Sequence, residues 1–311
     1  MRCIRPIQAG LDRSGNLTFN RKLYKAQYLE LECRKCLPCR LNIAREKAIR
    51  AVHEAKMHES NIFLTLTYSD EHMTSDRLQY RDFQNFMKKL RKTTDRKLPY
   101  IVTGEYGEKT KRPHWHAIIF NYDVKDPVYR RKTETGDKIY SSNQIDKIWG
   151  KNDPLHCPSE IGDVTIDSAG YVCRYAAKKL VHGQDQDHDY HPIHKTSSKY
   201  GIGRPWIEKY HKHTFENGFV LLRNGTKCKI PRYYCDWYKK NYPEKFEIYA
   251  NTIRQSAIDK AIINQRKEDI EYFTQYYDKY HGKNPLPISR PKVKETILKS
   301  KFKQLQERLK L

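Results

Sequence analysis

Apolar positions along this chain recur at two spacings. Between residues 41 and 58, Ala44, Ala48, Ala51 and Ala55 fall three or four apart beside a second set at Ile43, Lys47, Arg50 and Glu54. That is the period of a helix with one small, flat stripe. Phe83, Phe86, Met87 and Leu90 repeat it and predict an amphipathic helix over 78–92, with Ser75 and Asp76 offering a cap. Further helices are predicted at 143–149, 168–181 and 251–280. A closing basic helix places Val293, Ile297, Phe302, Leu305 and Leu309 on one face. Residues 62–68, 99–105 and 114–120 are instead short runs of β-branched and aromatic residues, the signature of strands. The last two are joined through 107–112, which reads as a hairpin loop. Residues 1–40 read as irregular, with short strands near 17–19 and 28–31. Residues 182–205 read as polar loop, and 281–287 as a linker.

Strands and helices therefore alternate through 40–180 with short connections. This predicts an α+β fold, a central antiparallel sheet flanked by helices, rather than a parallel doubly wound sheet. Three segments follow: a cysteine-rich stretch at 1–40, an α+β domain at 41–240, and a helical, basic C-terminal extension at 241–311.

Charge narrows the partner. Lysine and arginine number 60 against 37 acidic residues, a net charge of +23. Such a surplus fits a polyanion, nucleic acid above all, but does not distinguish an enzyme from a binding protein. No apolar run approaches the roughly 18 residues of a membrane span. The first ten residues lack the apolar core of an export signal, so neither membrane insertion nor secretion is expected.

Cys33, Cys36 and Cys39 lie in the run CRKCLPCR, with Cys3 upstream. Cys-x2-Cys spacing lets thiolates reach one tetrahedral Zn²⁺, and the four together would close a structural site with no open position. Free cytosolic thiols are the competing reading. Cys157, Cys173, Cys228 and Cys235 show no ligand spacing and read as small apolar residues or spare thiols.

His114 and His116 are two apart on a predicted strand, so both side chains leave the same face. If Tyr106 pairs with Pro113 across the hairpin, Glu105 lies opposite His114 on that face. Two imidazoles and a carboxylate suit a divalent ion with positions left open. Ordinary half-buried strand histidines would give the same pattern. A one-residue slip would send Glu105 to the other side.

Tyr171 and Tyr175 are one helical turn apart, with Lys178 and Lys179 three and four residues beyond Tyr175. Paired phenols beside ammonium groups suit two alternating nucleophilic steps, since free tyrosine, with a pKa of ~10, needs activation. An aromatic stripe packed on the sheet is the alternative.

Three segments occur in order: FLTLTY at 63–68, GEYGEKTKRPHWHAIIF at 104–120 and YVCRYAAKK at 171–179. With CRKCLPCR at 33–40 and KYGIGRPW at 199–206, they resemble the replication initiation proteins of microviruses of gokushovirus type, within the HUH endonuclease superfamily. The resemblance covers most of the chain from Cys3 to Tyr238. It implies an HUH endonuclease core over 41–240. It implies Glu105, His114 and His116 as ligands of Mg²⁺ or Mn²⁺, Tyr171 and Tyr175 as nucleophiles and Lys178 as their catalytic companion. The implied reaction is rolling-circle initiation. Tyrosine attacks single-stranded or locally melted origin DNA, leaving a 5′-phosphotyrosine and a free 3′-OH, and a later transfer closes the displaced strand into a circle. A relaxase or transposase of the same superfamily, or a zinc-containing nucleic-acid-binding protein without catalysis, remain the alternatives.

Lys109, Lys111, Arg112, Arg174, Lys179, Lys199 and Arg204 are candidate phosphate contacts. Trp115, Tyr106 and Trp206 are candidate platforms for unpaired bases. The chain has no Gly-x4-Gly-Lys-Ser/Thr loop, so no motor of its own is expected. Host helicase and host DNA polymerase are the expected partners, in the cytoplasm of the infected bacterial host. The His/Asp-rich run 182–194 reads as a solvated loop.

Overall fold

The computed structural model describes residues 3–24, 28–73, 75–107, 111–134, 136–178, 193–197, 201–222, 225–280 and 290–308. The chain opens with strands β1 (Ile7–Leu11), β2 (Leu17–Thr18) and β3 (Tyr28–Leu31), followed by helix α1 (Leu37–Ala55). Next come β4 (Asn61–Leu66), α2 (Tyr80–Arg91), β5 (Tyr100–Tyr106), β6 (Pro113–Phe120), β7 (Pro127–Lys132), β8 (Lys138–Ser142) and α3 (Asn143–Trp149). The chain continues through β9 (Glu160–Gly162), α4 (Ile166–Lys178), β10 (Ile193–Thr196), α5 (Arg204–Asn217), β11 (Val220–Leu221), β12 (Lys227–Cys228) and α6 (Arg232–Asn241). It ends with α7 (Pro243–Tyr249), α8 (Gln255–Tyr280) and α9 (Arg290–Arg308).

Two compact units result. One comprises 1–42, 215–218 and 238–311, the other 43–214 and 219–237.

The second unit is built on a seven-stranded sheet in the order β10-β5-β6-β4-β9-β8-β7. Every ladder in it is antiparallel, as the short connections predict. On one face, Leu64, Leu66, Trp115, Ala117 and Ile119 join Phe83, Phe86, Met87 and Leu90 of α2 and Ile145 and Trp149 of α3 in one core. On the other, Ile101, Ile118 and Phe120 meet Ala44, Ala48 and Ala51 of α1 and Ala169, Val172 and Cys173 of α4. Helices cover both sides of β5 and β6, so these strands are buried almost continuously instead of alternating. The alanine stripe is what lets α1 lie close to the sheet.

Gly104 shows how tightly this layer is built. A Cβ there would stand 2.7 Å from the Trp115 ring, and Gly104 faces Trp115 directly across the ladder.

In the first unit β1 sits between β2 and β3, where the sequence suggests only the two outer strands. In that unit α9 meets α8 through a Lys294–Glu268 ion pair and Arg290 over the Tyr272 ring. Among the described residues, no helix is long and apolar enough to cross a membrane.

Several boundaries differ from expectation. Helix α2 starts at Tyr80 behind Gln79, with no side-chain cap. The Ser75 hydroxyl instead accepts from the Arg77 amide in a local turn (3.0 Å). Within 182–205, β10 extends the sheet by pairing with β5, and α5 begins at Arg204. The strands β7, β8 and β9 and the helices α5 and α6 carry too weak a periodicity to be read in advance.

Candidate active site

The β5–β6 ladder pairs Glu105 with His114 and Tyr106 with Pro113, the register assumed from the sequence. His114 and His116 leave β6 on the same face as Glu105, and ligand atoms of all three lie within 4.8 Å of one another. The Glu105 Oε1 atom is 3.0 Å from His114 Nε2 and 2.9 Å from His116 Nε2.

The outer ring nitrogens are also held. His114 Nδ1 lies 3.2 Å from the Arg112 carbonyl, and His116 Nδ1 lies 3.0 Å from Thr65 Oγ1. A carbonyl only accepts, so the His114 proton belongs on Nδ1. Its Nε2 lone pair then faces a carboxylate oxygen, and two acceptors at that distance require a proton or a cation between them. This donor set therefore fits a divalent ion: hard oxygen, two oriented imidazoles and second partners that fix each ring.

The electrostatics agree. Burial works against ionisation of Glu105, but hydrogen bonds with His114 and His116 outweigh it and hold the carboxyl down at about 2. Burial pushes the His116 pKa down, although its bond to Glu105 opposes this. A neutral imidazole is the form that ligates metal.

Tyr171, on α4, completes the cluster. Its hydroxyl donates to Glu105 Oε1 at 3.0 Å and lies 3.5 Å from His116 Nε2. Its ring meets His116 edge-on, with centroids 5.1 Å apart. Phe63 stacks on His116 at 5.9 Å, forming a wall behind both.

Tyr175 and Lys178 lie on α4, one turn and about two turns beyond Tyr171. Their side chains, and that of Arg174, fall outside the described residues, as do Lys109, Lys179 and Lys199 entirely, with most of the run 182–194.

The remaining candidate cations divide. Lys111 is exposed at the end of the hairpin loop. Arg112 donates to the Tyr68 carbonyl (3.1 Å) and pairs with Asp70. Arg204 is exposed and bonds Glu208 one turn along α5 (2.7 Å).

The candidate base platforms need correction. Trp115 is wholly buried, and its indole N–H donates to Tyr68 (2.9 Å). It cannot meet a base, because the alternation that sends His114 and His116 to one face sends Trp115 to the other. The Tyr106 hydroxyl accepts from the Leu78 amide (2.9 Å). Trp206 is stacked on His53, with centroids 3.7 Å apart.

Two residues of the site were not singled out in advance. Thr65 and Thr103 flank His116 from the neighbouring strands. Their signal is register: each threonine is the partner of a histidine already under suspicion.

A second ligand cluster lies in the first unit. The Sγ atoms of Cys3, Cys33, Cys36 and Cys39 all lie within 4.8 Å of one another, with Cys3 and Cys36 at 3.8 Å. Thiolates bound tetrahedrally at ~2.3 Å stand about 3.8 Å apart, so four such donors fit a metal ion. Burial works against ionisation of Cys33, yet main-chain N–H groups of Cys36 and Lys35 bring its pKa down to about 7. Burial pushes Cys3 and Cys39 up.

Comparison with known proteins agrees with this geometry. A family profile for replication-associated proteins of the ORF2 group matches residues 61–180, the span from β4 to α4 that holds the whole cluster. The chain is 52% identical, over its full length and that of the relative, to Replication-associated protein VP4 of Bdellovibrio phage phiMH2K. It is 31% identical to Replication-associated protein ORF4 of Chlamydia phage 1, over 78% of this chain and 62% of that one. It is 28% identical to Replication-associated protein ORF2 of Spiroplasma virus 4, over 89% and 92%. No solved structure matches. The chain belongs to the microvirus-type family of phage replication-associated proteins.

Proposed function

We propose that this protein initiates rolling-circle replication of a phage genome by nicking single-stranded or locally melted origin DNA with a tyrosine and later rejoining the displaced strand. One observation carries the reading. The Tyr171 hydroxyl lies 3.0 Å from Glu105 and 3.5 Å from His116, inside the one group of carboxylate and imidazole ligands identified among the described residues.

Glu105, His114 and His116 would hold Mg²⁺ or Mn²⁺, which would polarise the scissile phosphate. The Tyr171 oxygen bonds to phosphorus as the phosphorus–O3′ bond breaks. The phenolic proton is lost, and the departing oxygen takes one up as a free 3′-OH. The covalent 5′-phosphotyrosine keeps the phosphodiester energy, so closure needs no nucleotide triphosphate. Tyr175, one turn further along α4, is the second nucleophile, which attacks the regenerated origin. Lys178 favours the phenolate of Tyr175. Lys109, Lys111, Arg112, Arg174, Lys179, Lys199 and Arg204 contact flanking phosphates. Zn²⁺ on Cys3, Cys33, Cys36 and Cys39 is structural. Host helicase and polymerase supply unwinding and synthesis in the bacterial cytoplasm.

The test is a covalent adduct between the protein and labelled single-stranded DNA from the phage genome, with Mn²⁺ or Mg²⁺ present. Wild type forms it, EDTA abolishes it, and Tyr171→Phe/Tyr175→Phe forms none. Adduct at wild-type level in the double variant refutes the mechanism.

A further inference from the structure

The edge of the seven-stranded sheet has a feature that the nicking chemistry does not use. All six residues of β7, Pro127–Lys132, are exposed. They include Val128 at 48% and Tyr129 at 54%. The strand is nevertheless well built. It pairs with β8 along its length, with an irregularity between Tyr129 and Arg131. Asp126 ties its start to Ser142 and to the Gln144 amide.

The charge on this hairpin is arranged unfavourably for an isolated protein. Arg130, Arg131 and Lys132 follow one another, and Lys132 stands directly across from Lys138. Opposed like charges destabilise a ladder. The acidic residues Glu134 and Asp137 belong to the turn rather than the strands. Arg131 has an acidic partner on the sheet, Glu160 at 2.8 Å.

That partner locates the hairpin relative to the cluster. His116 bonds Thr65, Thr65 faces Glu160 on β9, and Glu160 bonds Arg131. These four residues form a continuous row across one face of the sheet. From β6 to β7 the row crosses four strand spacings, about 19 Å. That is the rise of five to six nucleotides at about 3.4 Å each.

We propose that the β7–β8 hairpin is a second DNA-contact element, which holds phosphates of the bound strand five to six nucleotides from the cut bond. This rests on the nicking function for the identity of the ligand. A second copy of the chain is the wrong occupant for this edge, because two such strands side by side would juxtapose their own cations. A polyanion removes the repulsion between Lys132 and Lys138 instead of adding to it.

The experiment measures the salt dependence of binding, by fluorescence anisotropy, to dT8 and to dT24. An eight-nucleotide strand occupies the cluster with little beyond it, whereas the longer one reaches β7. For Arg130→Gln/Arg131→Gln/Lys132→Gln, dT24 affinity should fall about tenfold at low salt. The log–log salt slope should become shallower by about 2, since each phosphate contact on a single strand contributes ~0.7. Binding to dT8 should not change. A second variant, Lys132→Gln/Lys138→Gln, should weaken dT24 binding while melting no earlier than wild type. Removing three cations elsewhere, as Lys292→Gln/Lys301→Gln/Lys303→Gln, should leave the difference between dT8 and dT24 intact. An unchanged dT24 slope in the β7 variant overturns the proposal, as does an equal loss in the α9 variant. Adduct formation is scored separately: absence of adduct in wild type refutes nicking, and the length dependence still decides the DNA path.

Discussion

The Thr103 side chain donates its hydroxyl hydrogen to the main-chain carbonyl of Val172 at 3.1 Å, and Val172 follows Tyr171 directly in α4. Thr103 also faces His116 across the ladder, and its Oγ1 lies 2.8 Å from His194 Nδ1 on β10. One buried hydroxyl thus ties the strand beside the metal ligands to the helix that carries the phenol. Replacing it with an isosteric methyl in Thr103→Val should cost about 1 kcal/mol of stability. The larger effect should be on adduct formation, slowed about tenfold under single-turnover conditions with Mn²⁺ affinity unchanged. Equal losses in rate and metal affinity would show that Thr103 supports the ligands rather than the helix.

Gly104 allows the Trp115 ring to lie flat against the strand that carries Glu105. Gly104→Ala puts a methyl 2.7 Å from that ring, and overpacking of this kind costs about 1–3 kcal/mol. Denaturant unfolding should show the loss, and Mn²⁺ binding should weaken with it, because Glu105 is the next residue. Wild-type stability in the variant would mean that Trp115 has room to move.

The four cysteines predict a metal content. Purified protein should carry about one zinc per chain, and Cys36→Ser should lose it. Loss of zinc should expose the first unit to proteolysis while the second unit stays folded. Protein with no zinc and an intact first unit would exclude a structural role for the cluster.

His53 sets an acid limit. It is wholly buried, stacked on Trp206 and bonded to Tyr234 at 3.1 Å. Burial first, and then Lys56, lowers its pKa to about 3. The unfolded chain takes up this proton near pH 6.5, so stability is full above that value and falls as the pH drops towards 3. At pH 5 the contribution lost is about 2 kcal/mol. Unfolding free energy measured at pH 7 and pH 5 should therefore fall less in His53→Phe than in wild type. An identical fall in both would assign the acid sensitivity to other groups.

The site was legible where period and register decide it. Two histidines two apart on a strand share a face, and a short hairpin leaves few registers, so Glu105 is placed by the sequence alone. The same alternation excludes Trp115 from that face, although reading it as a base platform ignored this. The outer sheet was not legible. The segment β7 reads PVYRRK and buries nothing, so it carries no alternating signal. In β9 only Ile161 is buried, and β10 is hidden inside a polar run. Such strands are specified by their neighbours, through backbone pairing that a single segment does not display.

Side chains on a strand alternate, so the pairing of Glu105 with His114 is a matter of parity. Deleting one residue from β5 would turn the carboxylate into the packed core beside α2 and bring a neighbour into its place, with no intermediate arrangement available. The connection through 107–112 carries no such constraint. Lineages of this family are therefore free to lengthen or shorten that loop while the strand lengths on either side stay fixed.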